Sequence, residues 1–366
     1  MSAASTSRLQ SGFIDPDALE WDQILGELQY DFYHLPGYAR LCARQAGGEA
    51  AAYYATQGSN VFFQPLVIRR TPVELNGGET CDAASPYGYG GPLVGYGGDS
   101  QSTGELVDTG FIQRALDRLR SDLRSRSIVT LFVTLHPLML PDLDAFHSEG
   151  TLILIGSTVN IDLTASTEEL WSQTRSGHRS EINRARRNGY TAQMAPFDGY
   201  LDTFCSMYDQ TMQRVGASER YLFNREYFQE LKAALGDRLH LALVSIAGEP
   251  VCGGLFTEVN GIVQFHLAGT SDSAVALYPS KFMLDYVRSW AKDRGNFAMH
   301  LGSGLGGSRD SLFEFKAGFS KHTCPFYSWR TVCDSERYDQ LVRRWEARTG
   351  TAADTPDGFF PAYRKD

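Results

Sequence analysis

Residues 239–268 constrain the fold most. Three runs rich in apolar and β-branched residues, Leu239–Ile246, Glu249–Val259 and Ile262–Ala268, are separated by two residues each, Ala247-Gly248 and Asn260-Gly261. A two-residue joint with glycine second is a hairpin turn, whereas parallel neighbours need a crossover of roughly a dozen residues. An antiparallel meander is therefore built into this part of the chain.

Around it the patterning reads as a mixed α/β chain. Helices are expected at Trp21–Leu28, Tyr38–Gln45, Phe111–Arg124, Phe197–Val215, Asn224–Leu235, Pro279–Arg294, Ser311–Phe319 and Ser335–Arg348. Thr167–Asn188 reads as one long helix, or two broken at Gly177, with Gly189 as C-cap. Further strands are expected at Ala50–Tyr54, Val61–Ile68, Ile128–Leu135, Leu152–Ile155, Thr158–Leu163, Phe297–Leu301 and Pro325–Val332. Pro65 predicts an edge or a bulge for the second of these. Residues 1–20 read as loose and Asn76–Gly98 as a loop. The chain falls into two blocks with the same order of elements, helices, antiparallel strands, a helix and a strand. Domains are expected at 1–160 and 161–324, with 325–366 packing back on the first.

Composition narrows the function classes. The 366 residues are 42% hydrophobic and 21% charged, which excludes a disordered or disulfide-scaffold protein. A net charge of −9 argues against coating nucleic acid through bulk charge. The apolar stretch Leu131–Leu140 is far short of the ~20 residues of a bilayer helix, and Met1–Gln10 has no apolar run behind it. A cytoplasmic protein without a membrane partner is expected. The six cysteines show no Cys-x-x-Cys spacing, so free thiols and no metal site are expected.

Chemistry concentrates in residues 297–319. A strand leads into Gly302-Ser303-Gly304-Leu305-Gly306-Gly307 and then a helix carrying Asp310 and Phe313-Glu314-Phe315-Lys316-Ala317-Gly318-Phe319. A glycine turn lets backbone approach a ligand. The G-x-G-x-x-G spacing lacks the βαβ setting of a dinucleotide site. Lys316 is one of only six lysines, none of which lies in the first 231 residues. Among phenylalanines, it either snorkels to solvent or faces a cleft as a partner for a developing oxyanion. Residues 173–187 form a basic patch in which Arg175, Arg179 and Arg186 share a helical face suited to phosphates. The loop 82–92 offers Ser85, Tyr87 and Tyr89 to a sugar or peptide; Tyr208, Tyr221, Tyr227, His266 and His300 are further polar candidates.

These residues resemble the Fem-type (FemABX) peptidyltransferases of the GNAT-like acyltransferase class. The likeness lies in Leu170-Trp171 with Arg179, Ile182 and Ala185 through Gly189; Tyr208 and Met212; Tyr221; Tyr227-Phe228; His266–Gly269; and above all Leu301-Gly302 with Phe315–Phe319. It is looser at His34–Tyr38 and Gly91-Pro92. It implies a tandem of two GNAT-like domains, each a mixed, mostly antiparallel sheet flanked by helices. It also implies transfer of an amino acid from aminoacyl-tRNA, as co-substrate and without a cofactor, to an amine.

Carried over residue by residue, the resemblance gives Lys316 the oxyanion, puts Phe315 beside it and sets His266 in the cleft. Ser85, Tyr87, Tyr89, Tyr221, Tyr227, Ser303 and Asp310 would bind substrate, and Arg175, Arg179 and Arg186 the tRNA. Phe223, Arg40 and Arg44 stand where some members bind a nucleotide diphosphate. A small-molecule or peptide amine, as in natural-product pathways, is therefore the expected acceptor. A peptidoglycan precursor, an acyl-CoA donor, and a non-enzymatic tRNA- or glycan-binding module are the alternatives. The base is open among His266, Asp310 and the tRNA's own ribose or phosphate.

Overall fold

The computed structural model describes residues 7–73, 75, 78–96, 108–353 and 358–365. In chain order the elements are β1 (Gln10–Ile14), α1 (Leu19–Gly26), α2 (Pro36–Gln45), β2 (Glu49–Gln57), β3 (Asn60–Arg70), β4 (Cys81–Ala84), β5 (Leu93–Tyr96), α3 (Thr109–Ser125), β6 (Ile128–Thr134) and α4 (Leu143–Glu149). There follow β7 (Thr151–Asp162), α5 (Thr167–Gln173), α6 (Ser176–Arg187), β8 (Thr191–Ala195), α7 (Phe197–Val215), α8 (Arg225–Leu235) and β9 (Leu239–Ile246). The last are β10 (Glu249–Val259), β11 (Ile262–Thr270), α9 (Pro279–Asp293), β12 (Ala298–Gly302), α10 (Ser311–Ala317), β13 (Thr323–Val332) and α11 (Ser335–Thr349).

The chain divides into two compact units, Met1–Ile155 with Phe326–Asp366, and Gly156–Pro325, against expected boundaries after 160 and 324. The first has strand order β1-β2-β3-β4-β6-β13, the second β8-β9-β10-β11-β12-β7. Along both paths three antiparallel ladders are followed by one parallel ladder and a final antiparallel one. The parallel step in the second unit is bridged by α9, and that in the first by the stretch containing α3. Each unit's last strand stands apart in sequence from the strand it pairs with. β7 precedes the second unit's other strands, and β13 returns to the first.

The meander forms as expected. Ala247 and Gly248, then Asn260 and Gly261, all have positive φ, the geometry a two-residue hairpin demands. β3 departs from expectation. It is neither edge nor bulge, for it pairs with β2 throughout, with β5 at 60–63 and with β4 at 67–70. Pro65 falls in the gap between β5 and β4, where a missing N–H costs no ladder bond. The segments expected to be loose or a loop contain β1, β4 and β5, and α4 and β8 lie where the patterning predicts no element. The break in 167–188 falls at Thr174-Arg175 rather than at Gly177, which lies inside α6.

The second unit's core gathers Val159 and Ile161 of β7, Ile182 of α6, Phe256 of β10, Met283, Leu284 and Val287 of α9, and Phe313 and Phe319. A buried ionic network fastens α5, α6 and α9. Asp285 accepts from Arg288 at 2.5 Å and from Arg186 at 2.6 Å. Arg288, 4% exposed, also donates to Thr174 Oγ1 at 2.8 Å and Leu170 O at 3.2 Å. Removing one partner of a buried charge network strands the others. Asp285→Ala should therefore cost about 3 kcal/mol or more in urea unfolding, against a small effect for exposed Asp237→Ala.

Candidate active site

β11 and β12 are hydrogen-bonded neighbours for only three residues, Ile262–Gln264 with Ala298–His300. The last rung is closed by His300 Nδ1 and Gln264 Oε1, 2.6 Å apart, both residues buried. β11 then runs on to Thr270 and β12 to Gly302 with no further rungs, so the two strands part beyond that pair. On β11 the partners of Leu255 and Phe256 are Leu267 and Phe265, which leaves His266 as the extra residue of a β-bulge. A bulge re-aims a side chain, and bulges are common beside active sites. His266 Nε2 is withdrawn from solvent, and burial lowers the imidazole to a pKa of about 4, so it is neutral at pH 7.

Lys316 lies across this opening. It is 8% exposed, and its Nζ donates to Ser303 O at 2.7 Å and lies 5.9 Å from the centre of the Phe265 ring. Ser303 follows β12 and Phe265 lies on β11, so the ammonium touches both sides of the parting. Burial lowers its pKa to about 8, opposed by the charge of Asp310. An ammonium has three N–H donors. One is given to Ser303.

The loop 303–310 is closed from within. Asp310 Oδ2 accepts from Leu305 N at 2.8 Å, and Oδ1 from Phe313 N at 2.9 Å as the N-cap of α10. These N–H donors hold its carboxyl below the usual range, against the effect of burial. A Cβ on Gly304 would stand 2.2 Å from Ser308 O, so only glycine fits. Asp310's own carboxylate thus occupies the place where a phosphate would sit in a nucleotide loop. Asp310 holds the loop and supports the Lys316 charge.

The run Phe315–Phe319 is held by α6. His178 Nε2 donates to Phe315 O at 2.9 Å, and Arg175 N donates to Gly318 O at 2.8 Å. A Cβ at Gly318 would lie 2.2 Å from His178 Nε2, so this glycine seats the imidazole. Burial lowers the His178 pKa. Phe315 packs on His178 and Phe319 and belongs to the core.

The structure brings Lys316 and Ser303 together from the expected set and sets Phe265 beside the ammonium; His266 is the next residue along β11, Gln264 holds His300, and His178 holds the Phe315 carbonyl. The bulge has no signature in periodicity, and nothing in the sequence marked Gln264. Tyr227 is buried and stacked on Phe223 at 4.0 Å, away from the Lys316 contacts described above. Tyr221 is half-buried, and its carbonyl accepts from Tyr208 Oη at 2.7 Å. Ser85, Tyr87 and Tyr89 belong to the first unit. Ser85 Oγ accepts from Thr134 N at 3.2 Å, Tyr89 packs on Tyr33 and Phe326, and Tyr87 is exposed.

The arginines of the predicted face have partners within the chain. Arg179 donates to Trp171 O, Ser172 O and Thr174 O at 2.9–3.2 Å, capping the end of α5. Arg186 is committed to Asp285, and Arg175 pairs with Glu314 at 3.0 Å. The patch's exposed arginines include Arg184 and Arg187. Gly189, φ +72°, closes α6 as expected. Among the described residues no three His, Cys, Asp or Glu side chains are grouped to hold a metal, and no helix is long and apolar enough to cross a membrane.

Residues 172–316 match the acetyltransferase (GNAT) domain family. The match lies within the second unit. The whole chain is similar to FemX at 12% identity, with a TM-score of 0.67 over 90% of this chain and 99% of that one. The chain has the Fem-type, GNAT-like fold. It is also similar to L-PGS from Bacillus licheniformis, at 16% identity and TM-score 0.52 over 90% and 97% of the two chains. A protein of unknown function from Bacteroides thetaiotaomicron resembles it at 14% identity and TM-score 0.55, over 88% and 100%. No curated protein matches the chain by sequence.

If transfer at this site of the Fem-type fold draws on the Lys316 ammonium, its rate should fall as pH rises through about 8, where the proton leaves. Lys316→Arg should carry that alkaline limb upward in the pH profile of kcat, because guanidinium stays charged.

Proposed function

We propose that the chain is an aminoacyltransferase, moving an aminoacyl group from aminoacyl-tRNA to the amine of an acceptor. The observation that carries the reading is the buried Lys316 ammonium, held by Ser303 O where β11 and β12 part. An aminoacyl ester is already activated, and a neutral amine is already a nucleophile. Such a reaction asks for positioning and for stabilisation of the oxyanion. The amine attacks the ester carbonyl, its oxygen takes up charge facing Lys316 Nζ, the C–N bond forms and the C–O bond to ribose breaks. The amine's proton leaves with the departing ribose oxygen. With a pKa of about 4, His266 is too weak a base to lead this step.

An acyl-CoA donor is the second reading. The segment between β11 and α9 bears on it. Residues 271–278 carry no glycine and run as a 3-10 turn over Asp272–Leu277 into α9. This is a poor cradle for a pyrophosphate, which favours close backbone approach through glycine. The acceptor is read as a small-molecule or peptide amine.

The test mixes the protein with radiolabelled charged tRNAs, labelled acetyl-CoA and candidate amines. Label should pass from charged tRNA to the amine and stop when ribonuclease is added. Folded Lys316→Ala should be at least ~100-fold slower, the usual loss for one oxyanion donor. Ribonuclease-insensitive transfer from acetyl-CoA, or near-normal transfer by Lys316→Ala, would overturn the assignment.

A further inference from the structure

β11 and β12 are parallel, so the segments that follow them, 271–278 and 303–312, leave the second unit's sheet at the same end. The end of α7 joins them: Arg214 pairs with Asp272 and donates to Thr270 O at 3.3 Å. Tyr208 Oη ties Tyr221 to the same helix. These three segments carry seven of the twelve large apolar side chains that stand exposed among the described residues, including Val215, Leu222, Leu277, Tyr278, Leu305 and Leu312. Leu305 is 60% exposed and Val215 63%. They gather at the end where Lys316 lies, and the interior of the unit makes no use of them.

Cations stand among these side chains. Lys281 Nζ lies 4.7 Å and Arg184 5.9 Å from the centre of the Tyr278 ring. Arg187, Arg220 and Arg309 are exposed. The acids on the three segments are Glu219, Asp272 and Asp310. Asp272 is held by Arg214 and Asp310 by backbone N–H groups, while Lys281 is offset by Glu181. On the three segments Arg214, Arg220 and Arg309 balance these three acids, and Arg184 beside Tyr278 adds positive charge to this apolar end in a chain of net charge −9.

We propose that this end of the second unit docks on an anionic lipid surface. The leucines and valines would enter the acyl boundary, Tyr278 would sit at headgroup level and the arginines would meet lipid phosphates. Aliphatic side chains favour this occupant over RNA, whose bases need rings to stack on; Tyr278 is the one exposed ring of the seven. Docking would bring an amine carried on that surface to Lys316. That consequence rests on the aminoacyltransfer reading; the docking itself does not. The sequence expectation of no membrane partner followed from the lack of one apolar run, whereas these side chains are dispersed over three segments.

The test is co-sedimentation of the full chain with vesicles of phosphatidylcholine alone and of phosphatidylcholine with phosphatidylglycerol in equal parts. The chain should bind the anionic vesicles at least about tenfold more tightly. Leu277→Asp with Leu305→Asp, and separately Arg184→Glu with Arg187→Glu, should each weaken that binding about tenfold with an unchanged Tm. Lys316→Ala should bind vesicles normally, which separates this test from the catalytic one. Failure of the chain to bind the anionic vesicles would overturn the proposal, as would undiminished binding by both double variants. Loss of RNA binding or of self-association, instead of vesicle binding, would assign the surface to that partner and overturn it equally.

Discussion

Everything at the candidate site depends on keeping one ammonium charged inside a largely apolar setting. Burial opposes the charge on Lys316, and two features oppose burial: the Ser303 carbonyl at 2.7 Å and the nearby Asp310 carboxylate. The first needs the chain after β12 to turn so that a carbonyl points inward, which the positive φ of Gly302 allows. The second needs Asp310 to be fixed, and its two backbone donors fix it. The glycine loop is thus an internal scaffold for a lysine and not a phosphate cradle.

Strand topology makes the setting possible. A parallel pair within an otherwise antiparallel sheet ends its ladder after three rungs, and a bulge at His266 turns β11 beyond them. α10 then carries Lys316 over the gap, and α6 fixes that helix through His178 and the main chain of Arg175. The same ladder order recurs in the first unit, whose parallel pair is β4 and β6. Lys316 and its contacts belong to the second unit alone, so the repeat supplies an architecture and the residues supply the chemistry.

The sequence disclosed what local chemistry determines. Positive-φ turn residues made the 239–268 meander legible, and apolar periodicity located α7 over Phe197–Val215. Lys316 stands out as one of six lysines, and the phenylalanine run places it in an apolar setting. What stayed hidden depends on partners distant in sequence. The glycine-rich stretch 76–98 conceals β4 and β5 because short buried strands carry few periodic residues. The helical face of Arg175, Arg179 and Arg186 was visible, but not the acids and carbonyls that consume it. Tyr227 likewise lies on α8, and only the packing against Phe223 shows that it faces inward.

Lys316 is a buried ammonium with a lowered pKa at the parting of two strands. Six lysines are few enough to resolve one by one. A pH titration of the chain with nitrogen-15 in its lysine side chains, followed by NMR, measures that pKa directly. One resonance, absent in Lys316→Arg, should titrate near pH 8, well below the value of about 10.4 for a lysine free in water. If the Lys316 resonance titrates near about 10.4 instead, its ammonium is solvated, and the account of this site is contradicted.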